Sequence, residues 1–261
     1  MDLAIRPAHP AEYETFTRLF AQLGSGDPSP PRAMWEGEFC PQTLFAERDG
    51  AVVGYVYAQA LRGTGYVRNL VTDAPVRRAG VGAALMEAAA ARLRGSGCTR
   101  WCLNVRPDNA AALALYEGLG MRVAWRAVSL ATPWSALASL PAPTTAARAL
   151  GPDDDDPIER AWDLAPGMLA FARAHGRILL CLDGAAGVSS FNAAFPGAFP
   201  FRARDLPGAA ALLHAMRPHA LPEHDFVRLM VESDDALERA LLERGATVAL
   251  ETVHMRGPIP G

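Results

Sequence analysis

Apolar and polar residues along the chain fall into short runs whose period switches between two and nearly four, and each switch marks a new strand or helix. Asp2 to Arg6 alternates and predicts an edge strand. Within Pro10 to Leu23, Tyr13, Phe16, Leu19, Phe20 and Leu23 recur at helical spacing, and the Gly-, Ser- and Pro-rich stretch Gly24 to Pro31 predicts a loop. Met34 to Cys40 is too short for its pattern to decide. Thr43 to Glu47 and Val52 to Leu61 flank Arg48-Asp49-Gly50 and predict a β-hairpin. Tyr66 to Thr72 is a β-rich apolar run ending at Asp73-Ala74-Pro75. After Arg77-Arg78-Ala79-Gly80-Val81-Gly82 a helix opens, with Val81, Leu85, Ala89 and Leu93 on one face and Gly95 to Gly97 as its stop. Trp101 to Val105 predicts a strand. Asn109 to Leu119 predicts a helix capped by Asn109 and closed by Gly120, and Arg122 to Ser129 a further strand.

Beyond Pro141 to Ala147, which reads as a linker or connecting strand, a similar order returns. Helical stretches lie within Ile158 to Ala174. Strands follow at Ile178 to Leu182, Val188 to Asn192 and Phe199 to Arg202. Then come a helix at Gly208 to Met216, a strand at Phe226 to Val231, a helix at Asp234 to Arg244 and a strand at Thr247 to Met255. The 261 residues suffice for one large domain or two small ones, and 50% hydrophobic residues are enough for a core.

Composition narrows the function classes. The net charge of −3 gives no support to a nucleic-acid partner. No apolar run reaches the length of a membrane span, and the N-terminus lacks the basic-then-apolar layout of a signal peptide. Cys40, Cys98, Cys102 and Cys181 form no Cys-x-x-Cys pair and no disulfide framework, which points to a reducing, cytoplasmic setting. All 25 basic residues are arginine. No metal site is expected: His214, His219 and His224 are separated by Pro218 and Pro222, and in Asp153 to Asp156 the last aspartate reads as the cap of a helix beginning at Pro157.

The candidate chemistry sits at the strand–turn–helix of Asn69 to Met86. The first turn of a helix carries unpaired N–H groups and partial positive charge. Gly80 and Gly82 have no side chains to keep an anion away, and Arg77 and Arg78 add full charges, so the stretch reads as a pyrophosphate site. It is not a P-loop, having no Gly-Lys-Ser/Thr and no lysine at all, and the dinucleotide spacing Gly-x-Gly-x-x-Gly is absent. The spacing Arg-x-x-Gly-x-Gly resembles the acyl-CoA signature of the GNAT superfamily of N-acyltransferases. A second stretch, Leu103 to Met121, resembles the family pattern of strand, Asn-capped helix, tyrosine on the last turn and glycine; its wording is similar to bacterial acetyltransferases acting on ribosomal-protein N-termini.

The resemblance covers about residues 1–130. It implies an α/β fold with a mixed sheet, splayed so that the pantetheine arm of acetyl-CoA enters between two strands. It implies that the pyrophosphate lies on Arg77, Arg78, Ala79, Gly80, Val81, Gly82 and Ala83, that the pantetheine pairs with the backbone of Leu70, Val71 and Thr72, and that Asn109 contacts the cofactor. Tyr116 becomes the general acid for the departing thiolate: a phenol titrates near ~10 and a thiol near ~8.5, so it is protonated at neutral pH. Asn104 occupies the catalytic position where the ribosomal-protein enzymes carry a glutamate, and an amide cannot take a proton. Glu36, Glu38 and Asp73 stand as alternative bases, and the proton can also leave through water.

The second half resembles a degenerate copy, which makes the chain a tandem of two GNAT-like domains, residues 1–143 catalytic and 144–261 not. Setting Gly208 against Gly80 puts Asp205 at Arg77, and setting Gly245 against Gly120 puts Leu241 at Tyr116. The expectation is therefore an N-acetyltransferase acting on a primary amine of a small molecule or peptide N-terminus. The alternative is a non-catalytic acyl-CoA-binding regulatory or scaffolding protein. A homodimer is left open.

Overall fold

The computed structural model describes residues 3–24 and 28–261. Asp2 of the expected first strand, and residues 25–27 of the expected loop, lie outside the described residues. The chain forms two compact units, Met1–Ala124 with His254–Gly261, and Trp125–Val253.

In the first unit the chain runs β1 (Leu3–Pro7), α1 (Tyr13–Phe20), α2 (Arg32–Met34), β2 (Thr43–Arg48), β3 (Ala51–Ala60), β4 (Thr64–Thr72), α3 (Val81–Gly95), β5 (Arg100–Val105) and α4 (Ala110–Gly118). The ambiguous stretch after α2 is a π-helical turn, Trp35–Phe39. It buries Trp35 and Glu38, three residues apart. Trp35 stacks on Phe16 of α1 at 4.4 Å between ring centroids. Strands β1 to β4 are antiparallel neighbours in order, and β5 joins β4 in parallel. The β2–β3 hairpin turns through Asp49 (φ 52°) and Gly50 (φ 79°), two left-handed residues whose twist matches the strands. Helix α3 lies on this sheet through Val81, Leu85, Met86, Ala89, Ala90 and Leu93. Its close approach depends on Gly54, where a Cβ would lie 2.6 Å from the Val71 carbonyl oxygen and 3.3 Å from Leu85.

In the second unit, β6 (Arg122–Pro133, of which Trp125 onward belongs here) is followed by β7 (Arg148–Ala149), α5 (Asp155–Ala161), α6 (Met168–Ala174), β8 (Ile178–Leu182), β9 (Gly187–Asn192), β10 (Gly197–Ala203), α7 (Leu206–Met216), β11 (Phe226–Glu232), α8 (Asp235–Leu242) and β12 (Thr247–Pro258). Its strand order is β6-β11-β10-β9-β8-β7. Helix α7 supplies Ala209 to Leu213 and Met216 to a core shared with Val128, Leu130, Phe191, Phe201, Val227 and Leu229.

The units do not divide at residue 143. The expected last strand of the first half, β6, gives all but its first three residues to the second unit, and the last strand of the chain gives His254 onward to the first. β12 stands next to β5, covering an edge that would otherwise expose unpaired backbone groups. Residues 141–147 accordingly lie inside the second unit. The aspartate run also differs from its sequence reading: α5 begins at Asp155, not Pro157, because Asp154 turns back to accept from the Gly151 N–H at 2.9 Å and from Arg148 at 2.8 Å.

Candidate active site

Strands β4 and β5 pair from Thr64–Arg100 to Val67–Leu103, and there the parallel register stops. The cause is a bulge. Between β3 and β4 the register jumps from Ala58–Val67 to Tyr57–Asn69, so Arg68 is the extra residue, and a bulge bends the strand that carries it. Past it, Leu70, Val71 and Thr72 pair with Val56, Tyr55 and Gly54 of β3 and, among the described residues, with nothing on β5. One edge of β4 is therefore open at this point, as an extended amide-bearing ligand requires.

The chain then crosses eight residues, Asp73 to Gly80, before α3 begins. Asp73 anchors the turn, accepting from Gln22 at 2.8 Å, Arg18 at 2.7 Å and the Ala74 N–H at 3.0 Å. The hydrogen bonds from Gln22 and then Arg18 hold its carboxyl below the usual range. Arg77 is tied to the strand end through its Nε to the Thr72 carbonyl at 3.3 Å. Arg78 (φ 63°) and Gly80 (φ 81°) are left-handed, and they swing the backbone into α3, which has no side-chain cap. A Cβ on Gly82 would meet Thr72, Leu115 and Leu70 at 3.6 to 3.9 Å, ordinary contact distances. Packing thus does not demand glycine here; what its absent side chain leaves open is the approach to uncapped N–H groups. An uncapped helix start, a bare backbone and two exposed arginines suit a pyrophosphate.

Helix α4 carries the other expected residues. Asn109 is its N-cap, its Oδ1 accepting from the Ala112 N–H at 3.2 Å. Tyr116 is buried, and burial pushes its phenol well above the usual value, so it is a phenol and not a phenolate. Gly120 (φ 83°) ends the helix, and the Met121 N–H returns to the Tyr116 carbonyl at 3.0 Å.

Asn104 is the next residue of β5 after the last β4–β5 pair. Its Nδ2 donates to the Tyr66 hydroxyl at 3.2 Å, and its Oδ1 lies 2.9 Å from Nδ1 of His254. His254 is 6% exposed and meets the Tyr66 ring edge-on at 6.0 Å. The polar chain continues across the sheet. The Arg68 guanidinium sits 3.6 Å over the Tyr66 ring and donates to Gln59 Oε1 at 2.7 Å. Gln59 donates to the Tyr57 hydroxyl at 2.5 Å, and that hydroxyl donates to Glu38 at 3.1 Å. Of the three alternative bases, Glu38 is thus buried and engaged at the far end of this chain. Asp73 is consumed in the turn. Glu36 is exposed, 4.0 Å from Arg32. His254 was missed because no local motif marks it: it lies 150 residues from Asn104, in a strand whose pattern says nothing about which unit receives it.

The equivalent region of the second unit is built differently. Only Arg204 and Asp205 separate β10 from α7. This corrects the sequence alignment: Asp205 occupies the cap position of Gly80, and the arginine-bearing loop is missing altogether. The Asp205 carboxylate accepts from the Gly208 N–H at 2.7 Å, filling the helix start with its own anion. β10 and β11 pair only at Gly197–Arg228 and Ala198–Leu229. Beyond that, an ion pair between Arg202 and Glu232 bridges the two strands, and Trp125 Nε1 donates to Glu232 at 3.0 Å. A cavity of about 330 Å³ opens beside them, walled by Trp125, Trp162 and Phe201. Leu241, fully buried, stands where α4 has Tyr116: the Ala246 N–H returns to its carbonyl as Met121 does to Tyr116.

Comparison with known proteins finds a family likeness in the first unit. The model of the acetyltransferase (GNAT) family matches residues 10–121. The matched residues lie in the first unit and make up less than half of the chain. The ribosomal protein bS18-alanine N-acetyltransferase of Escherichia coli (strain K12) is 34% identical over 77 residues, which are 30% of this chain and 52% of that protein. The chain thus spans about half the length of the curated relatives it matches. Two solved structures share the fold over nearly the whole chain. An acetyltransferase structure from Pyrococcus horikoshii has a TM-score of 0.71 at 15% identity, covering 98% of this chain and 89% of its own. A tandem GNAT protein from the clavulanic acid biosynthesis pathway has a TM-score of 0.63 at 18% identity, covering 100% and 99%. The chain therefore shares the mixed α/β fold of these structures. Among the described residues no group of His, Cys, Asp or Glu can hold a metal ion, and no helix is long and apolar enough to cross a membrane.

Proposed function

We propose that the chain is an N-acetyltransferase that moves the acetyl group of acetyl-CoA to a primary amine of a small molecule or a peptide N-terminus, with the chemistry in the first unit. The observation that carries this is the uncapped start of α3 beside the open edge of β4, inside the matched GNAT domain. In this reading the pyrophosphate takes the N–H groups of Gly80 to Ala83 with Arg77 and Arg78 beside them. The pantetheine amides pair with Leu70 to Thr72. A backbone N–H at that edge polarises the thioester carbonyl, as an oxyanion hole does. Tyr116 donates to the departing thiolate. Its hydroxyl makes no hydrogen bond with another described residue and is not among the sealed, unpartnered atoms, so its proton is not committed elsewhere.

We read the second unit as non-catalytic. Its helix start is filled by Asp205, its strand gap is bridged by Arg202 and Glu232, and its tyrosine is Leu241. Four unpaired cysteines suit a reducing compartment such as the cytoplasm. One observation favours the non-catalytic, acyl-CoA-binding alternative: an amide, Asn104, stands where the resembling enzymes have a carboxylate. Thiol release from acetyl-CoA against a panel of amines and peptides decides between them. Acceptor-dependent release supports the enzyme, and tight binding without release supports the alternative.

A further inference from the structure

The second unit holds a cavity for which the acyltransfer reading has no use. We propose that this cavity, about 330 Å³ beside the Arg202–Glu232 pair, is a binding site for a small organic ammonium ion of the arylalkylamine class. All of its lining residues belong to the second unit, so the inference does not rest on the chemistry assigned to the first.

The sheet creates the space. Between β9 and β10 the register passes from Phe191–Ala198 to Ser189–Phe201, so β10 advances one residue more than its neighbour. Such a bulge bends its strand, and beyond Ala198 β10 has no described pairing with β11. Phe201 and Arg202 of β10 and Glu232 at the end of β11 line the gap that results. Trp125 of β6 and Trp162, which follows α5, add two further walls. Each indole is fixed by its polar edge: Trp125 Nε1 donates to Glu232 at 3.0 Å and Trp162 Nε1 to the Ala185 carbonyl at 3.1 Å. Both rings stay half-buried, as aromatic walls awaiting an occupant would. The volume falls within the ~300–1,000 Å³ of small-molecule sites.

The lining decides the sign of the ligand's charge. Arg202 is the one basic side chain among the described lining residues, against three carboxylates, Glu232, Asp163 and Asp234. The guanidinium already faces Glu232, whose side chain is only 4% exposed, so its charge is neutralised inside the wall. Asp163 and Asp234 then leave the cavity negative. An anion entering it would be repelled by both. Nor does α8 offer an anion a seat, because Asp234 fills the helix start, accepting from the Leu237 N–H at 2.9 Å. A neutral ligand gains apolar contact alone. An ammonium ion gains more, since carboxylates attract it and indole faces stabilise a cation better than other aromatic rings do.

A leftover acyl-CoA site would look different. The helix start that would take a pyrophosphate in this unit is filled by Asp205, and the cavity carries the wrong charge for phosphates. The ligand does share its ammonium group with the acceptor proposed for the first unit. The experiment must therefore report which site an amine occupies, and the two lining tryptophans make that possible.

The test titrates phenethylamine, 2-phenylethanol and 3-phenylpropionate, one ring with a positive, neutral or negative end, into the full chain without acetyl-CoA. Indole N–H signals are followed by NMR, with Trp125→Phe and Trp162→Phe identifying the two that matter. Phenethylamine should move both signals saturably, 2-phenylethanol should bind roughly tenfold more weakly, and 3-phenylpropionate should leave them in place. Asp163→Asn removes one charge, and asparagine tolerates the left-handed φ of 49° found there, so the fold is kept. Its affinity for phenethylamine should fall about two- to fivefold, the scale of one exposed ion pair. Glu232→Gln removes the charge that neutralises Arg202 and should reverse the preference, 3-phenylpropionate then binding more tightly than phenethylamine. If that variant does not fold, Asp163→Asn still decides. Indole signals unmoved by phenethylamine, equal affinity for the alcohol, an unchanged affinity in Asp163→Asn, or no reversal in a folded Glu232→Gln would each overturn the proposal. So would an amine that binds while neither indole responds, because it would occupy another site.

Discussion

Gly82 separates the demands of the fold from those of the ligand, because substitutions there should move stability and binding in opposite directions. A Cβ at this position would sit 3.6 Å from Thr72 Oγ1 and 3.7 Å from Leu115, with no clash. A glycine inside a helix costs about 0.5–1 kcal/mol relative to alanine. Gly82→Ala should therefore raise stability by up to that amount, a Tm increase on the order of 1–4 °C for a protein of this size. The same methyl intrudes on the backbone that the pyrophosphate approaches, and affinity for acetyl-CoA should fall about tenfold, the equivalent of roughly 1.4 kcal/mol. Gly82→Glu adds a negative charge to the first helical turn, which favours the helix by about 0.3–1 kcal/mol. Against a bound phosphate about 4 Å away the same charge costs between ~1 kcal/mol in water and ~4 kcal/mol at an effective dielectric of 20. That corresponds to a loss of about fivefold to nearly a thousandfold per phosphate charge. Thermal unfolding and isothermal calorimetry read both quantities on the same samples. If Gly82→Ala lowers Tm, Gly82 is a packing glycine; if Gly82→Glu binds acetyl-CoA as wild type does, the ligand is not at this helix.

Tyr116→Phe removes one hydroxyl and should leave acetyl-CoA affinity intact while turnover falls by roughly 10²-fold; turnover equal to wild type would make Tyr116 a core aromatic only. Asp205→Ala should destabilise the second unit by about 1 kcal/mol through the lost cap of α7, with acetyl-CoA binding to the chain unchanged; altered affinity in calorimetry would mean that α7 takes part in binding. Cys102 has its pKa raised from 9.0 to about 12 by burial, so the folded state holds its proton after the unfolded chain has released it. Its contribution should be fully present below pH 9 and be lost as pH rises toward 12. Urea unfolding at pH 8 and pH 10 should therefore give a smaller pH dependence for Cys102→Ala than for wild type, and equal slopes would contradict the assignment.

The local rules read well where the sequence carries local signals. Asp49-Gly50 fixed a hairpin, Asn109 and Gly120 bracketed α4, and the recurrence of Val81, Leu85, Ala89 and Leu93 every four residues gave α3 its buried face. These features depend on residues within a few positions of one another. What escaped depended on partners far along the chain. The pattern of Thr247 to Met255 predicts a strand in either unit equally, because alternation sets the faces of a strand and not its neighbour. So the domain boundary was drawn at a Pro-rich stretch that lies within one unit, and His254 stayed unconnected to Asn104. The bulge at Arg68 and the π-helical turn at Trp35–Phe39 each displace one residue from its period, and no pattern flags that. The pairing of Gly208 with Gly80 failed for a related reason: a shared glycine is weaker guidance than loop length, and the second unit has only Arg204 and Asp205 where the first has Asp73 to Gly80.

A crystal structure of the protein with acetyl-CoA tests the central claim most directly. The account predicts one ligand per chain, its pyrophosphate on the N–H groups of Gly80 to Ala83, its pantetheine along Leu70 to Thr72, and its sulfur within hydrogen-bonding reach of the Tyr116 hydroxyl. Density for the ligand against Gly208 in place of Gly82, or a ligand whose sulfur points away from Tyr116, would contradict it.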